Sequence, residues 1–266
     1  MCTLELPVRY FQDSTPEGVP CREEHFIRRE LIMVLPVEQT ALVLVDVWNV
    51  LHIESWLERA KRVTREAVGP ALATARQGGL TIVHAPSPEV AGRYPQLWRH
   101  APPPRTAAPD WPPVAFRRRE GEYAAYRGPR NQPPGIGLHW DPLAPHLDVA
   151  PEIEMREEDF VVATGQQLHE LLRDRGVLHL LYAGFCTNWC VLGRDYGIRA
   201  MGARGYNVIL LRDATMSVEF PDTLDRMLVT EIAIREVEQQ HGFTASTEDL
   251  LTAVREALYP SEGANL

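Results

Sequence analysis

The stretch "ALVLVDVWNVLHIESWLERAKRVTREAVGPALATARQGGLTIVHAP", residues 41–86, decides the fold. It opens with ALVLVDV, 41–47, an apolar run broken only by Asp46 near its end. Such a run, without polar alternation, suits a strand covered on both faces. Ser55 with Glu58 three residues later reads as a capping box and marks a helix start. The pair Gly78–Gly79 marks its end. LTIVHAP, 80–86, is the next strand. Strand, helix and strand in that order make a βαβ unit.

The same punctuation returns further on. DFVVAT (159–164) reads as a strand and GQQLHELLRDRG (165–176) as a helix closed by Gly176. LHLLYAG (178–184) is a strand, and a helix from about 188 to 203 ends at Gly205. NVILLRDA (207–214) is a strand and 222–242 a helix with apolar residues at helical spacing. FTAST, from Phe243, is a short strand, and Ser246 with Asp249 caps a last helix to about 257. The expected fold class is therefore α/β: three layers, α/β/α, around a mainly parallel six-stranded sheet. One domain spans 41–258, and 259–266 is a tail. Residues 1–40, with RYFQDSTPEGVPC, read as a loop-like N-terminal extension. Residues 86–151 hold fifteen of the 22 prolines together with Trp98, Trp111, Trp140, Tyr123 and Tyr126. That segment is too aromatic for plain disorder and reads as an insertion that serves as a lid or an oligomer contact.

Composition narrows the function classes. Of the 266 residues, 45% are hydrophobic and 24% charged, the balance of a globular protein. The formal net charge of −9 disfavours a nucleic-acid partner, and RRRE at 117–120 is too short a basic run to reverse that. No apolar run approaches the roughly 20 residues of a membrane span, and the N-terminus lacks a signal-peptide layout. Four cysteines and no secretory signal imply reduced thiols and a cytoplasmic location. Lys61 is the only lysine.

In parallel sheets, ligands bind beyond the carboxyl ends of the strands. Asp46, His84, the turn GFCTNWC (184–190) and Asp213 collect there. One CxxxC is too little for a zinc site and has the wrong spacing for a redox CxxC. A Cys186–Cys190 disulfide would join a turn to a helix. As a nucleophile, Cys190 would sit in the first helical turn after a Thr187 N-cap, where free N–H groups and the dipole favour a thiolate and hold an oxyanion. Asp46 would accept and return the thiol proton. A buried, inert cysteine is the alternative.

ALVLVDVWN followed by GFCTNWCVLGRDYGIRAMGARGYNVILLRDAT resembles the isochorismatase-like cysteine hydrolase superfamily, from about residue 40 to 255. DVWNVLH, HAPS and TNWCVLGRDYGIR are similar to a branch without the usual catalytic lysine. The resemblance implies Cys190 as nucleophile and Asp46 as acid/base. It also implies a cis peptide between Phe185 and Cys186, and an oxyanion hole made of the Cys186 and Cys190 N–H groups. Where the superfamily carries its lysine, this chain reads VVATGQQLHELL, and Lys61 lies in the first helix. Arg194 and His84 are the candidate replacements, although a surface or Asp-paired arginine and a satisfied strand-end histidine are the plainer roles. Trp48, Trp189 and Tyr196 are candidates for an aromatic pocket, Trp48 standing where the superfamily often has Gln. Nicotinamidases of the superfamily bind zinc near strand one. Here His52 and His84 make an incomplete cluster, so no metal and no cofactor are expected. The implied function is hydrolysis of a small amide through a thioester. The alternatives are a lyase or isomerase on the same site, or a lapsed enzyme acting as a binding or assembly protein. The implied partners are a small-molecule substrate and further copies of the chain, as a homodimer or homotetramer.

Overall fold

Each apolar run becomes a strand because helices cover both of its faces. In the computed structural model, which describes residues 2–98, 111–128 and 135–259, the run at 41–47 gives β3 (Thr40–Val45), all six of whose residues are buried. Its side chains alternate between two cores. Leu42 and Leu44 face a cluster with Trp56, Leu72 and Leu250, whereas Ala41, Val43 and Val45 face one with Leu168, Leu171 and Ile234. Burying one such leucine stabilises the fold by about 1.5–3 kcal/mol.

The other expected strands are present: β4 (Thr81–Ala85), β5 (Phe160–Val161), β6 (His179–Phe185), β7 (Asn207–Met216) and β8 (Phe243–Ala245). The pairs β3–β4, β3–β6, β4–β5, β6–β7 and β7–β8 are parallel. The sheet has eight strands rather than six, because the N-terminal extension is not a loop laid over the domain. It forms β1 (Thr3–Gln12) and β2 (Ile27–Pro36), an antiparallel hairpin that extends the sheet in the order β2-β1-β8-β7-β6-β3-β4-β5. Leu4, Leu6 and Val8 alternate inward on β1, no more than 2% exposed. Buried Glu238 accepts from Arg9 and Arg28 at 2.7 and 3.0 Å and so ties both strands to the turn before β8.

The helical boundaries shift in places. α1 (Glu54–Val63) starts after Ile53 with no side-chain cap, so Ser55 and Glu58 form no capping box. A π-turn at Thr64–Val68 joins it to α2 (Gly69–Gln77), which Gly78 closes. Three short helices, α3 (Pro88–Ala91), α4 (Val114–Arg117) and α5 (Ile136–Trp140), lie in the described parts of the insertion. Next come α6 (Gly165–Arg175), which Gly176 ends in the left-handed region, and α7 (Ile198–Ala203). The single helix expected over 222–242 is α8 (Leu228–Glu236) followed by a π-turn at Val237–His241. The capping box at Ser246–Asp249 starts α9 (Thr247–Leu258). Among the described residues no helix is long and apolar enough to cross a membrane.

Candidate active site

β3 delivers Asp46 to the carboxyl edge of the sheet. Asp46 has φ 44, in the left-handed region, which Asp tolerates better than most residues. Its N–H donates to the Ala85 carbonyl at 3.2 Å, so the turn out of β3 is pinned to the end of β4. On the other side, β6 presses unusually close. Gly184, at φ 117, would with a Cβ come within 2.0 Å of the Val45 carbonyl oxygen. Only glycine permits that approach, which brings the turn after Phe185 against Asp46. The Phe185–Cys186 peptide is cis.

The turn itself differs from expectation. Residues Thr187–Val191 form one π-turn with Cys186 at the N-cap position and no side-chain cap. The Thr187 hydroxyl instead pairs with that of Thr215 on β7, at 2.8 Å. The helix expected from 188 to 203 breaks between Arg194 and Gly197. At the break the Asp195 carboxylate accepts from the Gly165 N–H at the start of α6, at 2.8 Å. Arg194 turns the other way, toward Asp46.

Asp46 is fully buried and its carboxylate is closely held. Oδ1 accepts from Trp48 Nε1 at 3.1 Å and from Ser87 Oγ at 3.0 Å. Oδ2 accepts from Arg194 Nη2 and Nε at 3.2 and 3.3 Å. Arg194 Nη2 also donates to Ser87 Oγ at 3.2 Å. The Cys190 thiol lies close enough to the same carboxylate for the two groups to shift each other's protonation. Burial raises the pKa of Asp46, and Arg194, Cys190 and Ser87 oppose that rise. Burial and the neighbouring Asp46 charge push the Cys190 thiol up to about 12, with Arg194 working against them. The turn that carries Cys190 is a short π-turn with Cys186 at its N-cap, so less helix dipole stands behind the thiol than the sequence predicts. Burial also disfavours the charge on Arg194, but Asp46 outweighs it and holds the guanidinium more firmly protonated.

A cavity of about 620 Å³ opens beside this cluster. Trp48 and Ile53 line it after β3, and Ser87 and Val90 after β4. Trp140 and Leu147 enter from the insertion, and Trp189 and Arg194 from the Cys turn. His52 lines it too and meets Trp140 edge-on, with ring centroids 6.0 Å apart.

Three candidates from the sequence do not line the cavity. Tyr196 is not a pocket residue; it is buried in the core and donates to the Pro86 carbonyl at 3.2 Å. His84 does not replace the lysine, because its Nε2 is engaged by buried Asp159 at 3.0 Å. Asp213 lies three residues short of the end of β7, and its carboxylate holds the Thr247 N–H at 2.8 Å. Ser87 is the residue that sequence reasoning missed, although HAPS carried it at the end of β4. Among the described residues no group of three His, Cys, Asp or Glu side chains could hold a metal ion.

The family model of the isochorismatase domain matches residues 40–249. Among curated proteins no sequence matches significantly. Among solved structures, the chain resembles a cysteine hydrolase from Pseudomonas syringae pv. phaseolicola 1448A at 20% identity and TM-score 0.55, over 84% of this chain and 95% of that one. That likeness shows the shared fold. An isochorismatase family protein from Burkholderia thailandensis matches at 19% identity and TM-score 0.47, over 82% of this chain and 96% of that one. An N-carbamoylsarcosine amidase from Thermoplasma acidophilum matches at 18% identity and TM-score 0.42, over 79% and 97%. With its domain model matched over most of its length and its sheet built to the same plan, the chain belongs to the isochorismatase family.

Proposed function

We propose that the protein is a cysteine hydrolase of small amides with an apolar or aromatic acyl group. The observation that carries this reading is the placement of the Cys190 thiol beside a buried, Arg194-paired Asp46 carboxylate, next to a cavity walled by indole rings. A thiol pushed up to about 12 is not a resting thiolate, so activation is coupled to attack. Cys190 Sγ adds to the amide carbon as its proton passes to Asp46. The carbonyl oxygen gains the negative charge, and the Cys186 and Cys190 N–H groups receive it. Collapse breaks the C–N bond, and Asp46 returns the proton to the departing ammonia or amine, leaving a thioester. Water then gives a proton to Asp46 and attacks the thioester carbon; the acid departs and Cys190 recovers its proton. Arg194 supplies the positive charge that keeps Asp46 ionised and in place.

The experiment is a screen of benzamides, arylacetamides and short aliphatic amides for ammonia release by wild type, Cys190→Ala and Asp46→Asn. Turnover that both substitutions abolish supports the reading, whereas turnover that survives Cys190→Ala points to a lyase or isomerase using Asp46. The raised thiol favours a second reading, a binding protein without turnover. Tight binding of such amides with no product from any variant would establish it.

A further inference from the structure

Trp48 touches the site in two ways at once. Its indole Nε1 donates to Asp46 Oδ1 at 3.1 Å while the ring walls the cavity. Its backbone forms an antiparallel β-bridge with Val149, where the insertion returns to the domain. The fastening continues on both sides of that bridge. The Ala150 N–H donates to the Val47 carbonyl at 2.8 Å, and the Asn49 N–H to the Asp148 carbonyl at 3.0 Å. Asn49 Oδ1 accepts from the Asp148 N–H at 2.8 Å, and Asn49 Nδ2 donates to the His146 carbonyl at 3.0 Å. Asp148 is held in turn by the Tyr94 hydroxyl at 2.6 Å. The short strand of backbone from 146 to 150 is thus sewn to residues 47–49, immediately after Asp46.

Of the other groups around Asp46, Ser87 stands at the start of the insertion, its carbonyl accepting from the Val90 and Ala91 N–H groups of α3, and Arg194 and Cys190 belong to the Cys turn and its continuation. Among these groups Trp48 is the one outside the insertion whose backbone pairs with its returning end, and the insertion also provides Trp140 and Leu147 to the cavity wall. Each carboxylate oxygen has two donors, Trp48 and Ser87 on Oδ1 and the Arg194 Nε and Nη2 on Oδ2.

Resting on the hydrolase reading, we propose that Trp48 is the positioning residue of the acid/base and that the insertion sets it, so that the wall of the substrate cavity and the orientation of the Asp46 carboxylate are adjusted as one unit. The insertion then regulates the site as well as covering it. An occupant that shifts the 146–150 segment moves the indole and with it the donor to Oδ1.

The test reads Cys190 alkylation by iodoacetamide against pH, by peptide mass, in the full-length chain. The titratable and charged groups that face Asp46 are Cys190, Cys186, Arg194 and Tyr196. Protonating Asp46 removes the base for the thiol, so the rate falls on the acid side at a midpoint that reports Asp46. Trp48→Phe keeps the ring and loses the N–H. A carboxylate with one donor fewer is easier to protonate, and the midpoint moves up by about one pH unit. Trp48→Gln restores an N–H donor without the ring and leaves the midpoint near wild type. Asn49→Ala, which touches neither Asp46 nor the thiol, moves the midpoint in the same direction as Trp48→Phe by a smaller amount. An unmoved midpoint in Asn49→Ala, or in Trp48→Phe, overturns the proposal. Should Trp48→Phe fail to fold, Trp48→Gln and Asn49→Ala carry the test. Asp46→Asn separates this from the underlying reading. If it keeps the wild-type profile, the Asp46–Cys190 partnership itself falls; if it abolishes the acid limb while the other variants leave it unmoved, only the role of Trp48 and the insertion falls.

Discussion

Arg194 meets Asp46 side-on, with Nε and Nη2 lying 3.3 and 3.2 Å from the same carboxylate oxygen. Removing one partner of a buried pair leaves the other charge uncompensated. Asp46 is fully buried, while about a third of the Arg194 side chain meets solvent, so water offsets part of the loss. Arg194→Ala should cost about 2–3 kcal/mol of stability. It should lower amide turnover by about 100-fold. Arg194→Lys offers one point charge in place of the fork and should recover only part of both. Thermal melts and ammonia-release rates on the same preparations check this.

The alkaline side of Cys190 reactivity should be late. With the thiol held at about 12, its alkylation keeps climbing beyond pH 10. The Asp46 charge beside the thiol favours the protonated form. Asp46→Asn removes that charge, so the alkaline midpoint should fall. Exposed Cys2 and Cys21 are replaced by Ser so that the signal is unambiguous. A midpoint in Asp46→Asn at or above that of wild type contradicts the electrostatic account.

Trp140 reaches the cavity from the insertion, and the hydrogen bonds to Asp46 come from Trp48, Ser87 and Arg194. Trp140→Ala should therefore weaken binding of aromatic amides and leave the chemical step alone. The expected outcome is a KM raised by about 10-fold or more with kcat within a factor of about three, given what a large aromatic contact contributes. Steady-state kinetics on a benzamide and on a short aliphatic amide check it, and the aliphatic substrate should lose less.

Asp159 lies away from the site and tests stability alone. Burial works to raise its pKa, but hydrogen bonds from His84, the Arg156 N–H and Arg76 outweigh burial and hold it below the ordinary 3.8. Because the folded value is the lower one, the stabilisation is fully present above pH 3.8 and fades as pH falls through the folded value. Asp159→Asn should cost about 3 kcal/mol near neutral pH. It should also flatten the acid side of the stability curve, as urea melts between pH 3 and 7 would show.

Of the six central strands, β3, β4 and β6 were legible as apolar runs buried almost throughout, and β5, β7 and β8 from their places between helical stretches. The N-terminal hairpin was not. Pro7 sits within β1, which pairs with β8 only through Arg9 and Thr244, so a proline is tolerated there. On β2 most residues are exposed, so the strand shows no apolar period. The positions of Asp46 at a strand end and of Cys190 in the turn after β6 were legible. Arg194 was legible only as one of two candidate replacements for the lysine, since a helix continued through 194–197 would carry that side chain to the surface. The break is set by Gly197, where a Cβ would lie 2.7 Å from the Val191 carbonyl oxygen, and by Asp195 turning to α6. Ser87 was hidden for a related reason: its relation to Asp46 crosses 41 residues of chain and exists only once β3 and β4 lie side by side.

The break after the Cys turn also has a mechanical meaning. Cys190 and Arg194, the thiol and the cation, ride on one short length of backbone, with the Arg194 N–H bonded to the Cys190 carbonyl at 3.1 Å. Asp46 belongs to the sheet. The site is therefore a two-body machine rather than a three-cornered one. A displacement of the turn takes sulfur and counter-charge away from the carboxylate in the same stroke, and its return restores both. Sulfur and counter-charge thus belong to one element and the carboxylate to another.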